Sequence, residues 1–284
     1  MLQCEQIVDT ERYPINNRNS PLRSETVDNV RQQLAQDGCA VIRNFFSNAG
    51  IKSLLQEAVE RLPEVYYSPN KACNVYLGAG DPSLPADHPR NVFLERSNGF
   101  ITADLFDPGT ACQRLYHWQA LCEFLAECLQ KEHLHIYADP ISNMIVNVGK
   151  TGQRFNWHYD TNEFTITMLL QGAESGGQFQ YVPGLRSAAD ECYGDVARVL
   201  QGDDSRVRKL ELNPGDLQFF LGRYSLHQVT ENTGAKDRLL LIMSFTEQPG
   251  VIGSRTRVKD LYGKVSDAHL GDQNALVRSD GLLD

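Results

Sequence analysis

The sequence predicts an α+β protein, mainly β with flanking helices, whose core is a sandwich, barrel or jelly roll. Three observations predict it. From residue 133 onward, nine short segments rich in β-branched and aromatic residues follow one another, with turn residues between them. Ahead of them, apolar residues recur at helical spacing. Hydrophobic residues make up 41% of the 284 positions and charged residues 22%, which supplies a sizeable core in one large domain or two small ones.

Taken in order, residues 1–22 are polar, hold Pro14 and Pro21, and read as an arm with little regular structure. Ser24 is placed to cap a helix over about 25–36, with Gly38 as its C-terminal stop. "CAVIRNFF" reads as a strand, and Ser47 opens a helix over about 48–62 that Pro63 ends. Residues 63–110 are rich in Pro, Gly, Asn and Asp and predict long loops with a short strand at "NVFLERS". Leu115, Trp118, Leu121, Cys122, Leu125 and Leu129 mark one helix over 111–131. His117 lies within it and is read as a surface or boundary residue.

The β series then runs "LHIYA", "SNMIVNVG", "RFNWHY", "FTITMLLQ", "GGQFQYVP", "VRKLELN", "DLQFFLG", "SLHQVTE" and "RLLLIMSFT". One helix, in "SAADECYGDVARVLQGDD", interrupts it. "GAESGG" reads as a hairpin turn, since it matches no phosphate-loop pattern. The whole chain is treated as a single domain: arm 1–22, helical and loop support 23–132, β core 133–248, and a tail 249–284 covering the site.

A net charge of −9 argues against a broad surface for nucleic acid or anionic membranes. The N-terminus shows no apolar signal-peptide region, and no window is long and apolar enough to span a membrane. Seven cysteines without a CxxC motif predict reduced thiols, and the expected location is the cytoplasm.

The chemistry concentrates in three places. His158 and Asp160 stand two apart on a predicted strand, so both side chains point to one face. His227 lies 67 residues beyond Asp160, and Arg238 lies 11 beyond that, opening the last strong strand. Two imidazoles and a carboxylate suit one face of an octahedral Fe(II) with three positions open. A bidentate oxo-acid takes two of these and O2 the third, with Arg238 paired to the far carboxylate. Each residue alone has an ordinary reading: a chance triplet, a hydrogen-bonded histidine, a surface arginine. Their combination and order carry the hypothesis.

This HxD…H…R set resembles the iron- and 2-oxoglutarate-dependent dioxygenases, whose core is a double-stranded β-helix, a cupin-like jelly roll. More narrowly, "WHYDTNEFTITMLLQ", "GGQFQYVPGLRS", "PGDLQFFLGRYSLHQV" and the terminal "DGLLD" resemble the subgroup of free-amino-acid halogenases and their hydroxylase relatives. The resemblance runs from about residue 38 to the end. It implies helices packed on one sheet of the β-helix and a site using Fe(II), 2-oxoglutarate and O2. In the halogenating members the position two after the first histidine is glycine, which leaves room for chloride. Asp160 fills that position here, so the expected outcome is hydroxylation of a free amino acid or small derivative, with succinate and CO2 released.

Further residues are assigned roles beside ordinary alternatives. Thr167 is equally an oxoglutarate contact or a plain strand threonine. Asn147 points in toward the co-substrate or out as a polar face. Arg96, in "FLERSNGF", is the candidate for a substrate carboxylate, on its position in the subgroup, against a solvated loop arginine. Ser244 and Tyr262 are candidate substrate contacts, and Trp157 is read as packing. The loops of 63–110 and the tail after Gly250 are expected to cover the pocket mouth. The partner is a small molecule; a homodimer is left open. Desaturation, cyclisation or demethylation with the same cofactors, on a natural-product or nucleotide-like substrate, stays an alternative. So does a non-catalytic jelly-roll binding protein.

Overall fold

In the computed structural model, residues 2–270 and 282–283 are described. Helix α1 (Cys4–Ile7) is followed by α2 (Pro21–Asp37), β1 (Cys39–Ile42) and α3 (Asn48–Glu60). The support region continues with β2 (Ala72–Cys73), β3 (Leu94–Glu95), β4 (Gly99–Ile101), α4 (Ala111–Tyr116) and α5 (Gln119–Cys128). The β region holds β5 (His135–Ile136), β6 (Met144–Gly149), β7 (Phe155–His158), β8 (Thr165–Gln171) and β9 (Phe179–Val182). After α6 (Tyr193–Leu200) come β10 (Arg208–Leu210), β11 (Leu217–Phe220), β12 (Leu226–Val229), β13 (Arg238–Met243) and β14 (Phe245–Thr246); α7 (Arg255–Tyr262) follows.

Two mainly antiparallel sheets form the core. The larger runs β1-β11-β8-β13-β6-β4, the smaller β10-β9-β12-β7. From β6 to β13 the chain changes sheet at every connection except β9 to β10. The period of two then sorts the larger sheet. Met144, Val146, Val148, Ile166, Met168, Leu239 and Leu241 join Val27, Leu54 and Leu125 of the helices in one buried cluster. The alternate positions, Asn147, Thr167, Gln218 and Arg238, are buried polar residues on the face toward the smaller sheet. A face carrying four buried polar groups is a site wall rather than a core face.

Several elements differ from the sequence expectation. The N-terminal arm is not unstructured: Ile7, Val8 and Ile15 are buried in the main cluster, and Val8 bridges Phe46. Helix α2 starts earlier, with Ser20 at its cap and Pro21 in its first turn, where a missing N–H costs nothing. Its end is as expected, with Gly38 in the left-handed region at φ 61°. The single helix expected over 111–131 is two. Trp118 takes extended backbone (ψ 113°), and the buried Tyr116 just before the break donates its hydroxyl to the Ser244 carbonyl. "GAESGG" is a crossover, not a hairpin turn, because β8 and β9 belong to different sheets. Edge strand β4 lies within the loops and completes the larger sheet beside β6. All seven cysteines are free, and no described helix is long and apolar enough to cross a membrane.

Candidate active site

The smaller sheet brings the two histidines together. His227 on β12 pairs in register with His158 at the end of β7, and their ring centroids are 4.1 Å apart. Both rings are oriented by backbone. His158 Nδ1 donates to the Asn156 carbonyl at 2.7 Å, and His227 Nδ1 donates to the Ser225 carbonyl at 3.0 Å. A carbonyl only accepts, so each Nδ1 carries a proton, and Nε2 is the nitrogen each ring can offer a metal. Phe155 stacks flat on His158 with centroids 3.6 Å apart.

Asp160 lies just past β7. Its backbone N–H donates to the Gly222 carbonyl at 3.1 Å, which pins the turn to the segment leading into β12. The Thr165 hydroxyl donates to Oδ2 at 2.7 Å, and Oδ1 is 3.4 Å from His227 Nε2. One ligand atom from each of His158, Asp160 and His227 lies within 4.8 Å of the others, the only such group of three among the described residues. Gly222 is required by this packing, since a Cβ there would sit 2.0 Å from Asp160 Oδ2.

The charge states match the donor set. Burial, reinforced by His227, lowers His158 to about 3, so it is neutral near neutrality. Burial pushes the Asp160 carboxyl up, but His227, His158 and the Thr165 hydroxyl more than offset this and hold it at about 2. A neutral His158 imidazole and an ionised Asp160 carboxylate suit a divalent first-row metal. Behind the site, Tyr159 points the other way, against the stacked ring of Tyr76 and under the Arg186 guanidinium, 3.9 Å from its centroid. Arg186 is itself buried, donating to Glu191 at 2.9 Å and to the Arg223 carbonyl at 2.6 Å.

Arg238 opens β13 on the inner face of the larger sheet, 5% exposed. No described residue forms an ion pair or side-chain hydrogen bond with its guanidinium, and burial pushes it down to about 10. It lines a pocket with Asn98, Asn147, Phe155 and Val229, so the pocket reaches the ring stacked on His158. A buried cation without a counter-ion is costly, and a bound carboxylate removes the cost. A wider groove, about 1290 Å³, runs between α2 and α5, far from this chemistry. Its Arg18 and Arg23 are already paired with Glu123 and Glu127.

The other expected residues are placed as follows. Asn147 lines the Arg238 cavity. Thr167 shares the inner face, but its hydroxyl donates to Gln218 Oε1 at 2.8 Å. Arg96 is buried, not solvated; it bridges Phe155 through backbone and donates to the Asn70 carbonyl and to Asp260 of α7, both at 3.2 Å. Tyr262 packs edge-on against Phe100 at 5.3 Å. Ser244 accepts from Tyr116 through its backbone carbonyl. Trp157 packs on the outer side of the smaller sheet. The sequence reading missed Thr165, Gly222, Arg186 and Asn98. Only Gly222 carried a signal, a glycine closing an apolar strand, which marks close backbone approach. Of "DGLLD", Leu282 and Leu283 are described, and Leu283 accepts from Arg186; the rest lies outside the described residues.

Two facing sheets with a His-Asp-His cluster between them define a candidate mononuclear metal site, and known proteins share this fold. The family model described as Halogenase D matches residues 96–257, more than half of the chain, and the chain belongs to that family. No curated protein matches. Among solved structures, the non-heme α-ketoglutarate-dependent epimerase SnoN of nogalamycin biosynthesis is similar at TM-score 0.59 and 14% identity, covering 90% of this chain and 97% of that one. AviO1 from Streptomyces viridochromogenes is similar at TM-score 0.54 and 15% identity, covering 81% and 97%. A 2OG-Fe(II) family oxidoreductase from Burkholderia pseudomallei gives TM-score 0.53 at 14% identity, covering 83% and 94%.

Proposed function

We propose that this chain is an Fe(II)- and 2-oxoglutarate-dependent oxygenase that hydroxylates an unactivated C–H bond of a free amino acid or small amino-acid derivative, releasing succinate and CO2. Its two sheets are a jelly-roll, double-stranded β-helix core. One juxtaposition carries the reading: a His-Asp-His cluster whose ligand atoms converge beside a cavity holding an unpaired, buried guanidinium. The donor set and the cavity charge fit Fe(II) and an oxo-dicarboxylate. When bound, these supply the O2 activation and C–H oxidation.

The chain's own residues orient and shield. His158, Asp160 and His227 hold one face of the metal. Thr165 keeps Asp160 Oδ2 engaged, leaving Oδ1 for the iron. Arg238 grips the distal carboxylate of the oxo-acid bidentately, with Asn147 and Thr167 flanking it. Phe155 keeps water off His158. Arg96, held by Asp260, presents its remaining N–H groups to the substrate carboxylate, and Ser244 and Tyr262 flank the substrate. The expected compartment is the cytoplasm.

The family's name points to halogenation, but Asp160 supports hydroxylation. Its carboxylate fills the space facing Gly222 and competes with any halide for the same coordination position. The test is succinate release with Fe(II) and 2-oxoglutarate over a panel of amino acids and derivatives, in the presence of chloride, with product masses read out. A gain of one oxygen is expected. Incorporation of chlorine overturns hydroxylation, and loss of two hydrogens selects desaturation or cyclisation. Asp160→Ala and His227→Ala should each abolish substrate-dependent succinate; full coupled turnover in either would refute the metal assignment.

A further inference from the structure

Asn98 is 6% exposed, yet neither Nδ2 nor Oδ1 of its amide has a hydrogen-bond partner. A buried amide left without partners forfeits the hydrogen bonds it had with water, so it persists where a ligand completes it. Asn98 faces the cavity that Arg238 lines. Its position follows from register. Gly99, the first residue of β4, pairs with Val148, and Arg238 pairs with Gly149, so Asn98, just before β4, lies at the Gly149 end of the ladder. Asn98, Gly149 and Arg238 line the same pocket, with Gly149 and Arg238 paired across β6 and β13 and Asn98 at the entry to β4. Gly149 has no side chain, and a Cβ built there meets only Arg238 Cβ, at 3.9 Å. The arrangement is a notch, with a guanidinium on one side and an unpartnered amide on the other. Strands β4 and β13 flank β6, two strand spacings apart, roughly 10 Å between backbones.

We infer that Asn98 is a co-substrate-binding residue: its NH2 group donates to the carboxylate that Arg238 pairs with, and the missing side chain at Gly149 makes room for that carboxylate. The assignment rests on the oxygenase reading above and adds a second recognition element to it. Arg238 supplies charge, which any small anion satisfies. The amide across the notch adds a fixed distance, which selects an oxo-acid whose second carboxylate reaches this notch while its 2-oxo group reaches the iron.

Two substitutions test it. Asn98→Leu removes an unsatisfied buried polar group, so the metal-free protein should melt no lower than wild type. Gly149→Ala adds a methyl where nothing clashes, and should also fold normally. Each is expected to weaken 2-oxoglutarate binding at least tenfold in an anaerobic titration of the Fe(II)–2-oxoglutarate absorbance band, with Fe(II) affinity within twofold of wild type. Turnover at saturating primary substrate should show a raised KM for 2-oxoglutarate with kcat within threefold. An unchanged 2-oxoglutarate affinity in both variants overturns the role of the notch. A large drop in melting temperature for Asn98→Leu, with the band unchanged for Gly149→Ala, makes Asn98 a structural residue and equally overturns it. The underlying reading fails separately, by absence of the band in wild type or by an unchanged affinity in Arg238→Ala.

Discussion

At the scale of single residues, the site depends on contacts that leave no slack. Gly222 and Asp160 Oδ2 cannot both stay in place if position 222 gains a side chain. Gly222→Ala should lower Fe(II) affinity at least 100-fold, measured by titration with an iron chelator, while Thr165→Val, which only frees Oδ2, should cost about tenfold. Protonation supplies a second test. His158 is ordinarily near 6.5 and is lowered to about 3 on folding, so between these values the unfolded chain binds more protons than the folded one. Its contribution is full above pH 6.5 and is lost as the pH falls toward 3; Asp160, depressed to about 2, acts in the same direction at lower pH. Metal-free protein should lose about 2 kcal/mol of stability between pH 6.5 and 5, read from urea midpoints, and His158→Gln should flatten that slope. The HxD pair, His227 and Arg238 were legible because their chemistry is unusual in strands. Arg186 and Asn98 were not, because each matters through a residue far along the chain, Tyr159 and Arg238; Thr165 meets Asp160 only five residues away, but through a turn that a strand threonine does not announce.

At the scale of elements, the turn that carries Asp160 is held from behind as well as in front. Tyr159 sits between the two ligands and is clamped by Tyr76 and Arg186 on the outer side of the smaller sheet. Arg186→Met leaves Glu191 buried without its cation, which costs about 3–5 kcal/mol. Thermal melting should show that loss, and Fe(II) affinity should fall too, although Arg186 points away from the metal. Burial in strands follows the period of two, but the sequence left open which way Asn147 and Thr167 face; the structure buries both on the face opposite the main cluster. The split of the 111–131 helix was not legible: nothing local in "LYHWQ" disfavours a helix, and the break follows from Tyr116 reaching Ser244. The arm misled for a similar reason, since three apolar residues in a polar stretch are enough to dock it.

At the scale of the molecule, a β-rich core preceded by helices was legible from the number and spacing of strands, but which strands pair was not. Pairing joins distant segments: β6 and β8 never touch directly, and β13 lies between them in the larger sheet. Strand β13 carries Arg238 at its start and Leu241 in the main core. Leu241→Ala should therefore cost about 2–5 kcal/mol and, by loosening the strand, weaken 2-oxoglutarate binding as well, measured by denaturant melts and by the same absorbance titration. The central position of this late strand also sets a timetable during synthesis. Until residue 243 has left the ribosome, β6 and β8 each present an open, apolar edge. The nascent chain is sticky for most of its synthesis, and a truncation before β13 should aggregate rather than leave a smaller working enzyme.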